Sequence, residues 1–243
     1  MAEFFQLGEI AITVTRKNVK NVHLSVHPPD GRVTLVAPTA TRLDVARAYA
    51  ITRIGWIKQQ QGRFSRQARE TPRQFKGRET HYLWGRRHLL KIIEREEKPR
   101  IKVDHRAIHL QVRPAATRDT RSRIMHEWHL QLLHDVIPDL IRKWEARIGV
   151  KVRGYFLQRM KTKWGSCNPQ RGTIRLNTEL VKKPRDMLEY VIVHEMVHLI
   201  EKKHTKAFFR YLDRFYPKWT VIRSELNDLP LSAEDWPNRF TLK

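Results

Sequence analysis

Tyr190-Val191-Ile192-Val193-His194-Glu195-Met196-Val197-His198-Leu199 decides how this 243-residue chain is read. The run is apolar enough for a buried helix, and it carries His194-Glu195-x-x-His198. Four residues advance an α-helix by about 400°, so the two imidazoles lie roughly 40° apart on one face and about 6 Å apart along the axis. Two nitrogens so placed can reach one Zn²⁺ at about 2.0–2.1 Å each. Glu195 projects about 100° away from His194, near enough to take a proton from water at the ion without binding the ion itself. Met187, Leu188, Val191, Ile192, Val193, Met196, Val197, Leu199 and Ile200 make the segment apolar nearly all round, which predicts burial on most sides. Polar residues inside such a helix need partners, and a metal with its water supplies them.

A catalytic zinc takes a third protein ligand and keeps one position open for water. His204 is the favoured third ligand. On a continuous helix it would sit about 240° round from His198, on the wrong side. The helix is therefore expected to stop near Leu199–Lys202, with Thr205 capping a second helix from Lys206 to Phe215. Glu201 is a rival on the face of the two histidines, but about 10.5 Å along the axis from His194. Glu225, on a later segment, is a second rival.

Lys163-Trp164-Gly165-Ser166-Cys167, Ile174-Arg175-Leu176-Asn177, Tyr190-Val191 leading into His194-Glu195-x-x-His198-x5-His204, and Phe208-Phe209 together resemble the YgjP-like family of metal-dependent hydrolases. These are relatives of the SprT-type zincin metallopeptidases. The resemblance covers most of the chain and implies an α+β fold. In it a β-rich N-terminal region, residues 1–115, precedes a minimal zincin-like (gluzincin-like) catalytic domain, residues 116–243. It further implies one Zn²⁺ on His194, His198 and His204, with Glu195 as general base. The spacing to His204 also equals that of the metzincins, but Glu201 stands at their turn glycine and no Met-turn follows.

The formal net charge is +23, from 48 Lys and Arg against 25 Asp and Glu. Such a surplus attracts polyanions, so nucleic acid, nucleotides and acidic proteins are all compatible partners. The 40% hydrophobic content and seven tryptophans argue against disorder. No run of about 18 apolar residues suggests a membrane span. The first residues lack a basic leader with an apolar core, and the single cysteine suits a reducing compartment; the expectation is cytoplasmic.

Along the chain, Ile10–Val14, Val22–Val26 and Val33–Val36 alternate as strands and suggest an antiparallel meander, with Asp30-Gly31 as a turn. Thr41-x-x-Asp44 can cap one helix reaching about Gln60, with Val45, Ala48, Ile51, Ile54 and Ile57 near its apolar stripe. Arg63–Arg73 reads as a basic loop. Two further strand pairs follow, Leu83–Ile93 and Ile101–Val112. No repeat of solenoid period is evident. Pro114–Arg118 is the expected domain boundary, before a long helix carrying Ile124, Trp128, Leu132, Val136, Leu140, Ile141, Trp144 and Ile148. Pro138 should kink or split that helix. His126, His129 and His134 on it read as surface or hydrogen-bonded residues. The tail from Asp228 reads as irregular.

Arg153–Lys163 reads as a strand that would align Arg159, Lys161 and Lys163 on one face, to hold phosphates or acidic side chains or simply to protect an edge. With Trp164 and Asn177 from the resemblance, these make the candidate substrate-binding set. Cys167 is read as a packing residue. The chemistry expected is metal-assisted hydrolysis, with peptide bonds as the first reading. The alternatives are a nucleoside-triphosphate (UTP) pyrophosphohydrolase and a nucleic-acid-associated zinc protein or protease acting on DNA-bound proteins.

Overall fold

In a computed structural model the structure describes residues 2–27, 31–66, 73–160 and 163–229. The chain divides into two compact units, split between Glu70 and Thr71. No helix among the described residues is long and apolar enough to cross a membrane.

The first unit contains β1 (Ala2–Leu7), β2 (Ile10–Lys17), β3 (His23–His27), β4 (Arg32–Pro38), α1 (Leu43–Thr52) and α2 (Ile54–Arg66). Its strands run in the order β1-β2-β4-β3. The expected meander is corrected here: β2 and β4 are parallel, and only β3–β4 forms the hairpin. Residues 18–22 therefore carry the chain across β4 rather than into a tight turn. β1, unforeseen, pairs with β2 through a turn at Gly8, whose φ of 59° suits a residue without a Cβ. The single helix expected over 44–60 is two, broken at Arg53, and the cap residue is Arg42, whose side chain bonds to Asp44 rather than to a free backbone N–H of the first turn. Ala46 and Ala50 face the sheet while Val45 and Ile51 are exposed, because the small side chains allow close approach. Residues 67–72, the centre of the expected basic loop, lie outside the described residues, as does Asp30.

The second unit opens with β5 (Thr80–Leu83), β6 (Arg86–Glu94), β7 (Arg100–Val103) and β8 (Ala107–Val112), ordered β5-β6-β8-β7. Order and strand sense repeat those of the first sheet: antiparallel, parallel, antiparallel. The ends repeat too. Val36-x-Pro38-x-Ala40-Thr41-Arg42 leads into α1, and Val112-x-Pro114-x-Ala116-Thr117-Arg118 leads into α3 (Arg118–Ile148). The chain thus contains a duplicated four-strand-plus-helix module, too degenerate along the strands to show as a periodicity.

The second copy of the module is absorbed into the second unit, so the division falls near residue 70, not at 114–118. Leu90, Ile108, Leu110 and Val112 pack on Ile124 and Met125 of α3. Thr117 caps α3 by accepting the Thr120 N–H, and Gly149 closes it in the left-handed region. α3 runs through Pro138 as one helix. Its buried line is Met125, His129, Leu133, Ile137, Ile141, Trp144 and Ile148, and neighbours on that face hold the helix where the missing N–H would weaken it. His129 is thus a core residue.

β9 (Gly154–Gln158), β10 (Gly165–Asn168) and β11 (Thr173–Asn177) form a small sheet ordered β10-β11-β9. A 3₁₀ turn, Thr178–Lys182, leads into α4 (Arg185–Val197), followed by α5 (Lys206–Phe215) and α6 (Trp219–Asp228). α4 is the central element, touching α3, α5, α6, β10 and β11. Nine of its residues are buried, including Leu188, Ile192, Val193 and Met196 at 0% exposure. Each such aliphatic side chain contributes about 1.5–3 kcal/mol on burial, which fixes the helix that carries the motif. Its start is fixed from the β5–β6 turn: Trp84 and Gly85 donate to the carbonyls of Val181 and Lys182. A Cβ on Gly85 would stand 2.7 Å from Pro184 Cγ.

Candidate metal centre

The site lies wholly within the second unit. α4 ends at Val197, with His198 as its C-terminal cap residue. Glu201 N–H still bonds to Val197 O at 2.9 Å, after which the chain reverses. Thr205 Oγ1 then accepts the Phe208 N–H and starts α5. The reversal brings His204 back to α4. One ring nitrogen from each of His194, His198 and His204 lies within 4.8 Å of the other two. His194 Nε2 and His204 Nε2 stand 3.0 Å apart.

Phe208, fully buried, forms the floor. Its ring centroid lies 5.0, 4.5 and 4.7 Å from those of His194, His198 and His204. Burial, then the neighbouring His198 and His204, hold the His194 pKa down at about 3. His198 and His204 are also lowered, chiefly by burial. All three rings are therefore neutral near pH 7. His198 Nδ1 donates to Glu201 O at 3.1 Å, which leaves Nε2 with its lone pair.

Glu195, 6% exposed, lies beneath β10. A Cβ on Gly165 would meet its Oε1 at 2.5 Å, so the strand backbone itself confines the carboxylate. Burial raises the Glu195 pKa to about 8, and the charge of Lys163 pulls it the other way. Cys167 is half-buried, and burial together with Glu195 pushes its thiol up to about 12, which makes it inert at neutral pH.

A family model described as YgjP-like, metallopeptidase domain, matches residues 20–229. The chain belongs to this family. Among solved structures it is similar to the metallopeptidase zymogen abylysin of Pyrococcus abyssi, at 19% identity over 37% of this chain and 91% of that one, with a TM-score of 0.35. It is also similar to the zymogen jannalysin of Methanocaldococcus jannaschii, at 23% identity over 37% and 92%, with a TM-score of 0.33. No curated protein matches it.

A YgjP-like metallopeptidase domain implies a divalent metal, and the donors here fit one. Two nitrogens each about 2.05 Å from a tetrahedral zinc lie about 3.3 Å apart, close to the separation of His194 and His204. Neutral rings held by an aromatic floor, with Nδ1 of His198 already engaged, are what a closed-shell cation requires. Neither rival third ligand joins the cluster. Glu201 instead offers its carbonyl to His198 and its carboxylate to the Lys203 N–H.

The expected substrate-binding set is dispersed. β9 stops at Gln158, so Arg159 and Lys163 share no strand face. Arg159 Nε lies 3.2 Å from Glu179 Oε1, in an ion pair that Lys182 completes at 2.6 Å from Oε2. Lys161 lies outside the described residues. Trp164 packs on the core, with Lys183 Nζ 5.5 Å from its ring centre. Asn177, at 0% exposure, donates to the carbonyls of Met160 and Lys163, both at 2.8 Å, and accepts the Glu179 N–H. It positions the segment before β10 instead of facing substrate. Among the described members of the set, Lys163 is the one whose charge acts on Glu195. Gly165 and Tyr190, whose hydroxyl is 3.4 Å from His194 Nδ1, were not singled out, since their roles depend on packing rather than spacing.

Proposed function

We propose that this YgjP-like protein is a zinc metallopeptidase with a zincin-like catalytic unit, in which His194, His198 and His204 hold the ion and Glu195 is the general base. The observation that carries this reading is the convergence of three neutral imidazoles beside a carboxylate whose basicity is raised. Bound zinc supplies a Lewis acid that polarises a carbonyl and acidifies water. Glu195 accepts the proton of the attacking water and returns it to the departing amine. A pKa near neutrality suits both halves of that exchange, and confinement by Gly165 keeps the carboxylate aimed. Tyr190 and Phe208 hold the rings of His194 and its partners in place.

The nucleotide alternative drew on a row of cations at 159, 161 and 163, and the engagement of Arg159 by Glu179 removes its first member. The peptide reading is therefore the one adopted. Zinc-loaded protein should cleave denatured casein, and Glu195→Gln should keep stoichiometric zinc while losing at least about 10³-fold in rate. Release of pyrophosphate from UTP without any peptide cleavage would overturn it.

A further inference from the structure

One wall of the site is built of stacked rings. His204 lies nearly parallel to Phe209 at 6.3 Å and 22°, and Phe209 to Trp219 at 5.3 Å and 21°. Trp219 is fixed in turn, because its Nε1–H donates to Asp213 Oδ1 at 2.7 Å. One helical turn on, the guanidinium carbon of Arg223 lies 5.9 Å from the centre of the Trp219 ring. Ile222 and Leu226, 6% and 2% exposed, anchor this helix in the same core as α4, so Arg223 is carried on a rigid element. The stack of rings thus runs without a gap from His204, through Phe209 and Trp219, to this guanidinium. Among the described residues no carboxylate pairs with Arg223, and its side chain is exposed.

An exposed guanidinium at the rim of a peptide-cleaving site, held by a stacked wall, offers a planar two-pronged donor for a carboxylate. We propose that Arg223 determines specificity, selecting peptides that present a carboxylate close to the scissile bond on the side of His204. This rests on the metallopeptidase reading. The carboxylate can come from an Asp or Glu side chain or from the end of the peptide; both present the same chemistry to Arg223. A cation–π contact to Trp219 alone would stabilise the wall but would not sort substrates by charge.

The test uses zinc-loaded full chain and matched quenched peptides carrying Glu, Gln or Lys at each position around the cleavage point, each as C-terminal acid and amide. Wild type should favour Glu over Gln by about tenfold or more in kcat/KM, the worth of one charge-assisted bond. The ratio should collapse towards unity in Arg223→Gln, invert towards Lys in Arg223→Glu, and survive in part in Arg223→Lys. A preference lost on amidation assigns the carboxylate to the peptide end, and one that persists assigns it to a side chain. An unchanged ratio in Arg223→Gln overturns the proposal. Binding of the same labelled peptides to Glu195→Gln, followed by fluorescence anisotropy, separates the two readings. Charge-selective binding that needs Arg223 but is accompanied by no cleavage in wild type would sink the peptidase reading alone. Binding without charge selectivity would sink the role of Arg223.

Discussion

Gly165 and Glu195, thirty positions apart in the chain, are in contact: a Cβ at 165 would stand 2.5 Å from Oε1 and 2.8 Å from Cγ of the glutamate. The Glu195 carboxylate is therefore confined by backbone, and its aim depends on a missing methyl group.

Gly165→Ala should displace the carboxylate by about 1 Å and lower kcat/KM by about 10²-fold. The zinc content should stay unchanged, since no ligand moves with β10. Steady-state kinetics beside metal analysis checks this, and a variant of full activity would refute the confinement.

Removing the ion should uncouple the turn after α4 from α5. Saturating zinc is expected to raise the stability of chelator-treated protein by about 4 kcal/mol at a thousandfold excess over Kd. His204→Ala should largely abolish that gain while leaving the metal-free melting temperature nearly unchanged, because His204 is exposed. Thermal melts with and without zinc measure both.

Phe208→Ala should cost about 3–5 kcal/mol in the metal-free protein through the cavity it leaves. It should also weaken zinc binding, because all three rings rest on that side chain. Denaturant midpoints and competition with a zinc chelator read the two effects separately.

Asn177→Ala should cost about 2–4 kcal/mol, as it leaves the carbonyls of Met160 and Lys163 without their donor. Asn177→Asp should be worse, since a carboxylate cannot donate to either carbonyl. Urea unfolding ranks the two variants.

Part of the acid limb of stability should trace to the buried polar cluster around His129, beside the share of His194, which burial also holds at about 3. Burial holds His129 at about 3, and Lys182 pushes the same way, while Glu179 opposes them. Below pH 6.5 the unfolded chain takes up a proton that the folded chain refuses, so stability falls by up to about 1.4 kcal/mol per pH unit until about pH 3. Glu179 adds to the loss at lower pH. Burial would raise it, but Lys182 and Arg159 outweigh that and hold it at about 2, so its stabilisation is complete above pH 4.5 and fades towards pH 2. His129→Gln in metal-free protein should reduce the slope between pH 6.5 and 4.5 by up to about 1.4 kcal/mol per pH unit, the share of one proton, as read from urea midpoints. An unaltered slope would refute the assignment.

Some of this was legible because it is local. The reversal after His198 followed from the angle His204 would otherwise take, and Thr205 caps α5 where a hydroxyl before an apolar run should. Pairing across gaps was less legible. Alternation in residues 10–36 marked strands without their order, and a parallel β2–β4 pair leaves no turn signal between its members. The duplicated Pro-x-Ala-Thr-Arg segments were present in plain residues, yet their equivalence emerges only when both sheets show the same order. Arg159 looked like part of a substrate row because β9 was read as continuing to Lys163, whereas it ends at Gln158.

By itself the sequence determined the motif helix, its near-complete burial and the chain reversal that places His204 just ahead of α5, because helical angle and capping act within a few residues. Tertiary structure alone decided that Gly165 seals Glu195, that Asn177 turns inward and that Arg223 stacks on Trp219 at the end of a row of rings leading to His204. Those relations join residues far apart in the chain, where close packing, rather than any local preference, selects the neighbour.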